Sequence, residues 1–386
     1  MKFTVPVQTI IGPISQVSNI CVTNSRNPDD LAQFILFDVK TTLLTLVGTD
    51  NNVQLKAEIP LPEGACTSEG TFLMLASKAG EFFKSLGSQD DVSMELVEEE
   101  DILNIESNQA NFSIRIRKLV EDNPFPIFRL DNESSNKSFA IAENKLRYML
   151  DKSVFCVSKD NYRDYLKGVR FELEGNHFTI FALDGHRMAA LETDLDEAVP
   201  EEIKFLMSLR GVNELQKLLN NNQSDLLTLQ VSENFVSTQI NNYTITTCLL
   251  KCRYPDVRKV IPSQCAPELA VPLDLLKTYV KRVSLFSNKR LNLINLLFTH
   301  NTLTLFSQNS EHELGSAKIG IDYPDTEGHR ESNLNADFLK EFLNAIDTEQ
   351  VVFGFAPPYS NTMLRPINEV NDLGIRARYV VSHIVV

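Results

Sequence analysis

The chain has 386 residues, of which 43% are apolar and 23% are charged, and its net charge is −14. This composition is typical of a soluble globular protein of two to three domains, and it excludes collagenous and low-complexity classes. Because no apolar run reaches the roughly 18 residues of a membrane span, we expect neither a transmembrane helix nor a secretion signal. The acidic balance argues against binding to nucleic acid or membrane through overall charge.

Six cysteines are spread along the chain, and no pair has the two-residue spacing of a zinc or redox motif. We expect them to be buried, reduced thiols of a cytoplasmic protein. The sequence also has no phosphate-binding loop, zinc-protease helix, serine-hydrolase elbow or dinucleotide turn. It therefore has none of these common signatures of catalysis, metal binding or cofactor binding.

One succession of patterns occurs three times, at intervals of about 130 residues. Each repeat has a helical stretch, strand-like runs, a polar turn, a second helical stretch and alternating strands. The helical stretches are 7–18 and 76–86, then 142–158 and 210–219, then 272–287 and 335–346, and the polar turns contain Asp50, Asp184 and Asn309. Hydrophobic periodicity lapses at 131–138 and 261–267. We therefore predict an α+β protein of three repeated domains, 1–130, 138–262 and 263–386.

A cluster of chemically versatile residues runs from Asp184 through Gly185 and His186 to Arg187. A carboxylate beside an imidazole is typical of an acid–base pair, so one alternative is a hydrolase that uses Asp184 and His186. Asp-Gly between two alternating apolar runs is also a strong hairpin signal, because glycine tolerates a positive φ. The local pattern favours the hairpin.

Basic residues concentrate on the helical stretches. Lys277 and Lys281 are four residues apart and share one face of a predicted helix, and Lys78, Arg210 and Lys217 add positive charge to the second helices. Such a face is either simply solvated or part of a surface for nucleic acid.

Short motifs run through all three repeats: MKFTV at the start, VGTD at 47–50, NYRDYLKGVRFE at 161–172, DGHRM at 184–188, CRYPDVRKVIP at 252–262 and YVV at 379–381. Together they resemble the bacterial beta sliding clamp family, the processivity subunits of DNA polymerase III. The resemblance implies a protomer of three DNA-clamp domains. Two protomers would join head to tail into a ring, with helices lining the hole and antiparallel sheets outside.

The resemblance also implies a function without catalysis or cofactor. A homodimeric ring would encircle duplex DNA regardless of sequence and tether the polymerase, the clamp loader and other replication or repair proteins. DNA contacts are then expected at Arg26, Lys78, Tyr165, Arg210 and Lys217. The dimer interface is expected at Phe112, Ile114, Leu285 and Phe286. A pocket for partner peptides with glutamine, leucine and aromatic anchors is expected at Leu166, Leu183, Gly185, His186, Arg187, Met188, Pro255, Lys259, Val260, Val380, Ser382, His383 and Ile384.

The net charge is compatible with this interpretation if the basic faces line the hole. Acidic residues on the outside would then lie beyond the Debye length of about 8 Å from the DNA. The chain departs from the family at Leu183, at Lys259 and at its closing SHIVV, so we expect a different peptide preference. Asp29 also places negative charge near Arg26. The second alternative is a peptide-binding module that does not encircle DNA.

Overall fold

The computed structural model describes residues 1–23, 25–27, 29–87, 90–97, 100–130, 136–158, 162–220, 224–323 and 328–385. Most of the predicted domain boundary at 131–138 therefore lies outside the described residues. The chain forms two compact units. Unit 1 contains Met1–Ala140, Asn213–Leu219 and Leu226–Leu249, and unit 2 contains Ile141–Val212, Asn220–Asp225 and Leu250–Val386.

Within the described residues there are six α-helices: α1 Val7–Ile20, α2 Ala76–Ser85, α3 Glu143–Asp151, α4 Leu209–Leu218, α5 Leu273–Val283 and α6 Ala336–Ala345. Each begins within a residue of its predicted stretch. Helices α3 and α5 end earlier than predicted. Beyond α3 the chain forms only a short 3-10 turn at Val154–Cys156, and beyond α5 it forms one at Ser284–Phe286. β-branched and aromatic residues follow the end of α3, and these lose side-chain freedom in a helix.

The strands are β1 Lys2–Pro6, β2 Phe34–Val39, β3 Leu43–Thr49, β4 Val53–Pro60, β5 Cys66–Ser68, β6 Gly70–Leu75, β7 Asp91–Val97, β8 Ile102–Ser107, β9 Ala110–Arg115, β10 Lys137–Ala142, β11 Gly168–Glu174, β12 His177–Leu183, β13 Arg187–Asp194, β14 Ile203–Ser208, β15 Leu226–Val231, β16 Phe235–Ile240, β17 Tyr243–Cys248, β18 Glu268–Pro272, β19 Leu293–Thr299, β20 Thr302–Gln308, β21 Leu314–Gly320, β22 Arg330–Asn335, β23 Gln350–Phe355, β24 Asn361–Pro366 and β25 Arg376–Ser382. Unit 1 contains a sheet of order β5-β1-β7-β8-β9 and one of order β10-β15-β16-β17-β4-β3-β2-β6. Unit 2 contains antiparallel sheets of order β14-β11-β12-β13-β25-β24-β23-β18 and β21-β20-β19-β22.

The triple repeat is confirmed in the order of the elements. The first helices α1, α3 and α5 each begin directly after a strand, namely β1, β10 and β18. The second helices α2, α4 and α6 likewise begin directly after β6, β14 and β22. Each polar turn joins two neighbouring strands: β3 to β4, β12 to β13, and β20 to β21.

Burial follows the predicted period of two in most strands, since alternate residues of β15 are buried. The predicted alternation was wrong for β23, where five consecutive residues are buried. Both of its faces are covered. Phe353 and Phe355 each lie 5.3 Å from the ring of Phe298, and a Cβ on Gly354 would lie 2.8 Å from the sulfur of Cys265 on the opposite face.

Candidate functional site

The polar turn of the second repeat joins β12 to β13. The Asp184 N–H donates to the Arg187 carbonyl at 3.3 Å, and Gly185 takes a φ of 95°, which glycine tolerates because it has no Cβ. Asp184 Oδ1 accepts from the backbone N–H groups of His186 at 2.8 Å and Arg187 at 3.0 Å. The predicted Asp-Gly hairpin is therefore confirmed.

The Arg187 side chain is only 7% exposed and holds this turn to two other segments. Its Nε donates to Asp184 Oδ2 at 2.9 Å, its Nη2 donates to the Phe155 carbonyl at 2.7 Å, and its Nη1 donates to Glu341. Its guanidinium carbon lies 4.2 Å from the ring centroid of Phe338. Burial lowers the pKa of Arg187, but a nearby thiol and the two carboxylates outweigh burial and keep the pKa above its usual value.

Beside the turn lies a cluster of apolar side chains, which we call the groove cluster. Its buried members are Phe181, Met188, Ala190, Val257, Met363 and Val380, and Leu183, Tyr254, Ile261 and Cys265 pack against them. The sheet register assembles it, because Met188 pairs with both Leu183 and Val380, and Val380 pairs with Met363. The structure thus brings together three of the predicted pocket residues, Leu183, Met188 and Val380.

The segment before β18 forms the exposed side of the groove cluster. A 3-10 turn at Val257–Val260 buries Val257 and leaves Val260 44% exposed. Pro255 and Lys259 are exposed, and Lys259 forms a surface ion pair with Asp256 at 3.2 Å.

Leu166 is buried below the turn. A Cβ on Gly185 would lie 3.8 Å from the Leu166 side chain, an ordinary van der Waals contact. This predicted pocket residue therefore supports the turn from beneath.

The last described residues are hydrogen-bonded to the turn and to strands of both sheets of unit 2. The Ser382 N–H donates to the His186 carbonyl at 2.9 Å, and the Ile384 N–H donates to the Asn333 carbonyl at 2.7 Å. His383 Nε2 lies 2.7 Å from the Thr362 hydroxyl. Burial lowers the pKa of His383, partly opposed by the nearby carboxylate of Glu331. All three predicted tail residues therefore lie on segments tied to the turn or to β22 and β24.

Sequence reasoning missed several residues of this region. Phe181 was accessible to it, because it lies two positions before Leu183 and therefore on the same strand face. Met363 was not, because its place depends on the pairing of β24 with β25. Phe338 and Glu341 were also missed, since they contact Arg187 across about 150 residues of sequence.

The acid–base alternative is not supported by the geometry. The carboxylate of Asp184 is hydrogen-bonded to backbone N–H groups and to Arg187, and the bond to His186 goes to its backbone N–H. The His186 ring instead stacks on Phe338, with centroids 6.4 Å apart. Across the described ranges, no three histidine, cysteine, aspartate or glutamate side chains converge as a metal site requires.

The predicted DNA contacts lie in both units. In unit 1, Arg26 and Lys78 are exposed, and Lys217 is exposed while its Nζ donates to Glu214 at 2.7 Å. In unit 2, Arg210 is exposed at the start of α4, and the hydroxyl of half-buried Tyr165 accepts from Arg163 at 3.2 Å.

The negative charge near Arg26 is partly compensated. Asp29 lies 2.9 Å from Arg117 Nη2, and Asp30 caps a short 3-10 helix by accepting from the Ala32 N–H at 3.1 Å. Both carboxylates thus have local structural partners that the sequence did not reveal.

The predicted interface residues differ in exposure. In unit 1, Phe112 is 37% exposed on the edge strand β9, whereas Ile114 is 4% exposed and packs inside the unit. In unit 2, Leu285 is 79% exposed, and the ring of Phe286 occupies the space where a Cβ on Gly315 would stand. Phe112 and Leu285 therefore present the larger apolar surfaces.

The chain matches three family profiles in order. They describe the DNA polymerase III beta subunit N-terminal domain at residues 1–125, its central domain at 140–256 and its C-terminal domain at 258–373.

No helix in the described part of the chain is long and apolar enough to cross a membrane.

Proteins named beta sliding clamp are similar to this chain over nearly their whole length. The beta sliding clamp of Haemophilus influenzae is 26% identical over 364 residues, which cover 94% of this chain and 95% of that protein. The clamp of Escherichia coli K12 is 25% identical over 91% of this chain and 92% of its own. Crystal structures of the DNA polymerase III beta subunits from Pseudomonas aeruginosa and Thermotoga maritima have the same fold, with TM-scores of 0.90 and 0.85 at 24% and 23% identity; they cover all of this chain and 100% and 99% of theirs. Because the family profiles span almost the entire sequence, the chain belongs to the DNA polymerase III beta subunit family, the beta sliding clamps.

Proposed function

We propose that two copies of this chain join head to tail into a ring that encircles duplex DNA and tethers the replicative polymerase. The observation that carries the proposal is the match of all three clamp domains, in order, within one chain. A head-to-tail contact closes only if the rotation between subunits completes a circle, and two protomers of three similar domains would place six similar domains around such a ring. The chain is a non-catalytic processivity factor, and nucleotidyl transfer belongs to its polymerase partner.

The proposed ring retains DNA by topology and therefore needs few phosphate contacts. Arg26, Lys78, Tyr165, Arg210 and Lys217 are the proposed contacts, and four of them are exposed cations. Each neutralised phosphate adds salt-dependent affinity, so many tight contacts would oppose sliding. A small number of mobile contacts suits a clamp that is indifferent to sequence.

The groove cluster is the proposed binding site for partner peptides. Its aliphatic and aromatic floor would take the apolar anchors of a short peptide, and the turn at Asp184–Arg187 and the tail would supply polar contacts. In such sites a few buried anchors contribute most of the affinity. Because Ser382, His383 and Ile384 shape this border, we expect a peptide preference that differs from the family's.

The domain boundaries 1–130, 138–262 and 263–386 are part of the proposal. Each proposed domain contains one first helix and one second helix of the repeat. We also propose that the protein acts in the cytoplasm, where replication partners are found.

The test combines solution mass with DNA topology. Light scattering should give twice the 43.6 kDa chain mass. Once loaded, the clamp should remain on nicked circular DNA and leave after linearisation. The matched control is Leu285→Lys with Phe286→Lys, which introduces charge at the proposed interface and should give monomers that are not retained. Equal retention on circular and linear DNA would overturn enclosure and support the module that does not encircle DNA.

A further inference from the structure

One face of α6 is built around the guanidinium of Arg187. Phe338, Glu341 and Phe342 are spaced three and four residues apart and so share a face of the helix. All three contact Arg187: the rings lie 4.2 Å and 5.9 Å from its guanidinium carbon, and Glu341 accepts from its Nη1. The same face touches the turn a second time, because the His186 ring stacks on Phe338.

Two carboxylates, those of Asp184 and Glu341, compensate the positive charge of Arg187. The Asp184 carboxylate already accepts hydrogen bonds from two backbone N–H groups of the turn in addition to the one from Arg187 Nε. Glu341 is the carboxylate that reaches Arg187 from another element, and its own side chain is 45% exposed. Loss of Glu341 would leave a 7% exposed guanidinium half-compensated among aromatic rings, a position that favours its displacement.

The turn and the groove cluster form one continuous structure. Leu183 precedes the turn and Met188 follows it, and the two are paired across the hairpin. A displacement of Arg187 would therefore be transmitted directly to two side chains of the cluster.

We propose that Glu341 is a positioning residue of the partner-peptide groove: it holds Arg187, and through Arg187 the Asp184–Arg187 turn, in the geometry that accepts a peptide. This inference rests on the proposed function of the groove. Glu341 acts from α6 through Arg187 and does not itself belong to the groove cluster.

The experiment measures the affinity of the full-length protein for a labelled synthetic peptide with glutamine, leucine and phenylalanine anchors. Glu341→Gln should weaken binding by about fivefold or more. Glu341→Asp keeps the carboxylate and should therefore retain most of the wild-type peptide affinity. Asp337→Asn is the matched control, because it removes another carboxylate of α6, one that pairs with Lys340 and not with Arg187. The peptide affinity of this variant should be unchanged.

A double-mutant cycle tests the route. In an Arg187→Met background, Glu341→Gln should have no further effect, and an undiminished loss there would overturn the route through Arg187. Unchanged affinity of Glu341→Gln would overturn the positioning role while the groove's function stands. A wild-type protein that fails to bind the peptide would overturn the groove's function and this inference with it.

Discussion

The polar turns of the first and second repeats have the same local chemistry. In both, the N–H of an aspartate donates to the carbonyl three residues later, at 3.1 Å for Asp50 and 3.3 Å for Asp184. In both, the aspartate Oδ1 atom accepts from the backbone N–H groups two and three residues later. The second residue has a positive φ in each case, 68° at Asn51 and 95° at Gly185.

The difference lies in the fourth residue of each turn. Val53 is fully buried in unit 1, whereas Arg187 in unit 2 carries a charge to Glu341 and to the Phe155 carbonyl. One hairpin is thereby a structural corner, and the other is linked to α6 and the 3-10 turn at Val154–Cys156. The turn chemistry therefore sets the backbone in both repeats, whereas the fourth residue of the turn determines which other elements the turn contacts.

The turn of the third repeat is one residue longer. Asn309 Oδ1 accepts from the N–H groups of Glu311 and Glu313, both at 3.0 Å, and His312 takes a φ of 65°. A side-chain oxygen thus stabilises all three turns, which supports the internal repeat at the level of individual hydrogen bonds.

The largest effect that separates the two turns is expected from Asp184→Ala compared with Asp50→Ala. Each removes the turn's two side-chain acceptor bonds, at a cost of about 1–3 kcal/mol in the free energy of unfolding. Asp184→Ala also removes one of the two carboxylates of Arg187, so peptide affinity should fall by about tenfold or more. Asp50→Ala should leave peptide affinity unchanged. Calorimetric titration of both variants would contradict the comparison if they lost affinity equally.

A smaller effect is expected at the position with positive φ. Gly185→Ala places a Cβ at a φ of 95° and should lower the free energy of unfolding by about 1–2 kcal/mol. Asn51→Gly should change it by only a few tenths of a kcal/mol, because asparagine already tolerates this region. Urea unfolding of both variants measures the difference, and equal losses of unfolding free energy would contradict this expectation.

The smallest effect is a pH dependence confined to the second turn. In the first turn the Asn52 carbonyl accepts from the Cys248 N–H, and in the second the His186 carbonyl accepts from the Ser382 N–H. Ser382 is followed by His383, whereas Cys248 is followed by Leu249. The pKa of His383 is lowered by burial, so its neutral form stabilises the folded state. This contribution is present above about pH 6.5 and is lost as the pH falls through the folded pKa.

His383→Gln should therefore reduce the loss of stability between about pH 7.5 and about pH 5.5, by less than about 1 kcal/mol. Thermal unfolding of the variant and the wild type at both pH values measures this change. Identical pH dependence of the two proteins would show that folding does not shift the pKa of His383.

Much of the fold was accessible to sequence analysis because its signals are local. Helical periodicity located all six helices of the described residues, and Asp184 with Gly185 located the hairpin. The two-sided burial of β23 was missed because it depends on packing against distant residues. The early end of α3 was missed although β-branched and aromatic residues follow it directly. The roles of the predicted DNA and interface residues stay predictions, although Ile114 is buried within unit 1 and Leu285 is exposed.

The repeat, the turns and the family were predictable from the amino-acid sequence, since each depends on short motifs whose residues are neighbours in the chain. The side chains of the groove cluster, in contrast, were identifiable only from three-dimensional contacts. Met188, Val380 and Met363 meet through strand register, and Arg187 meets Glu341 through the placement of α6. Such contacts join residues far apart in sequence, and neither periodicity nor motif spacing specifies them.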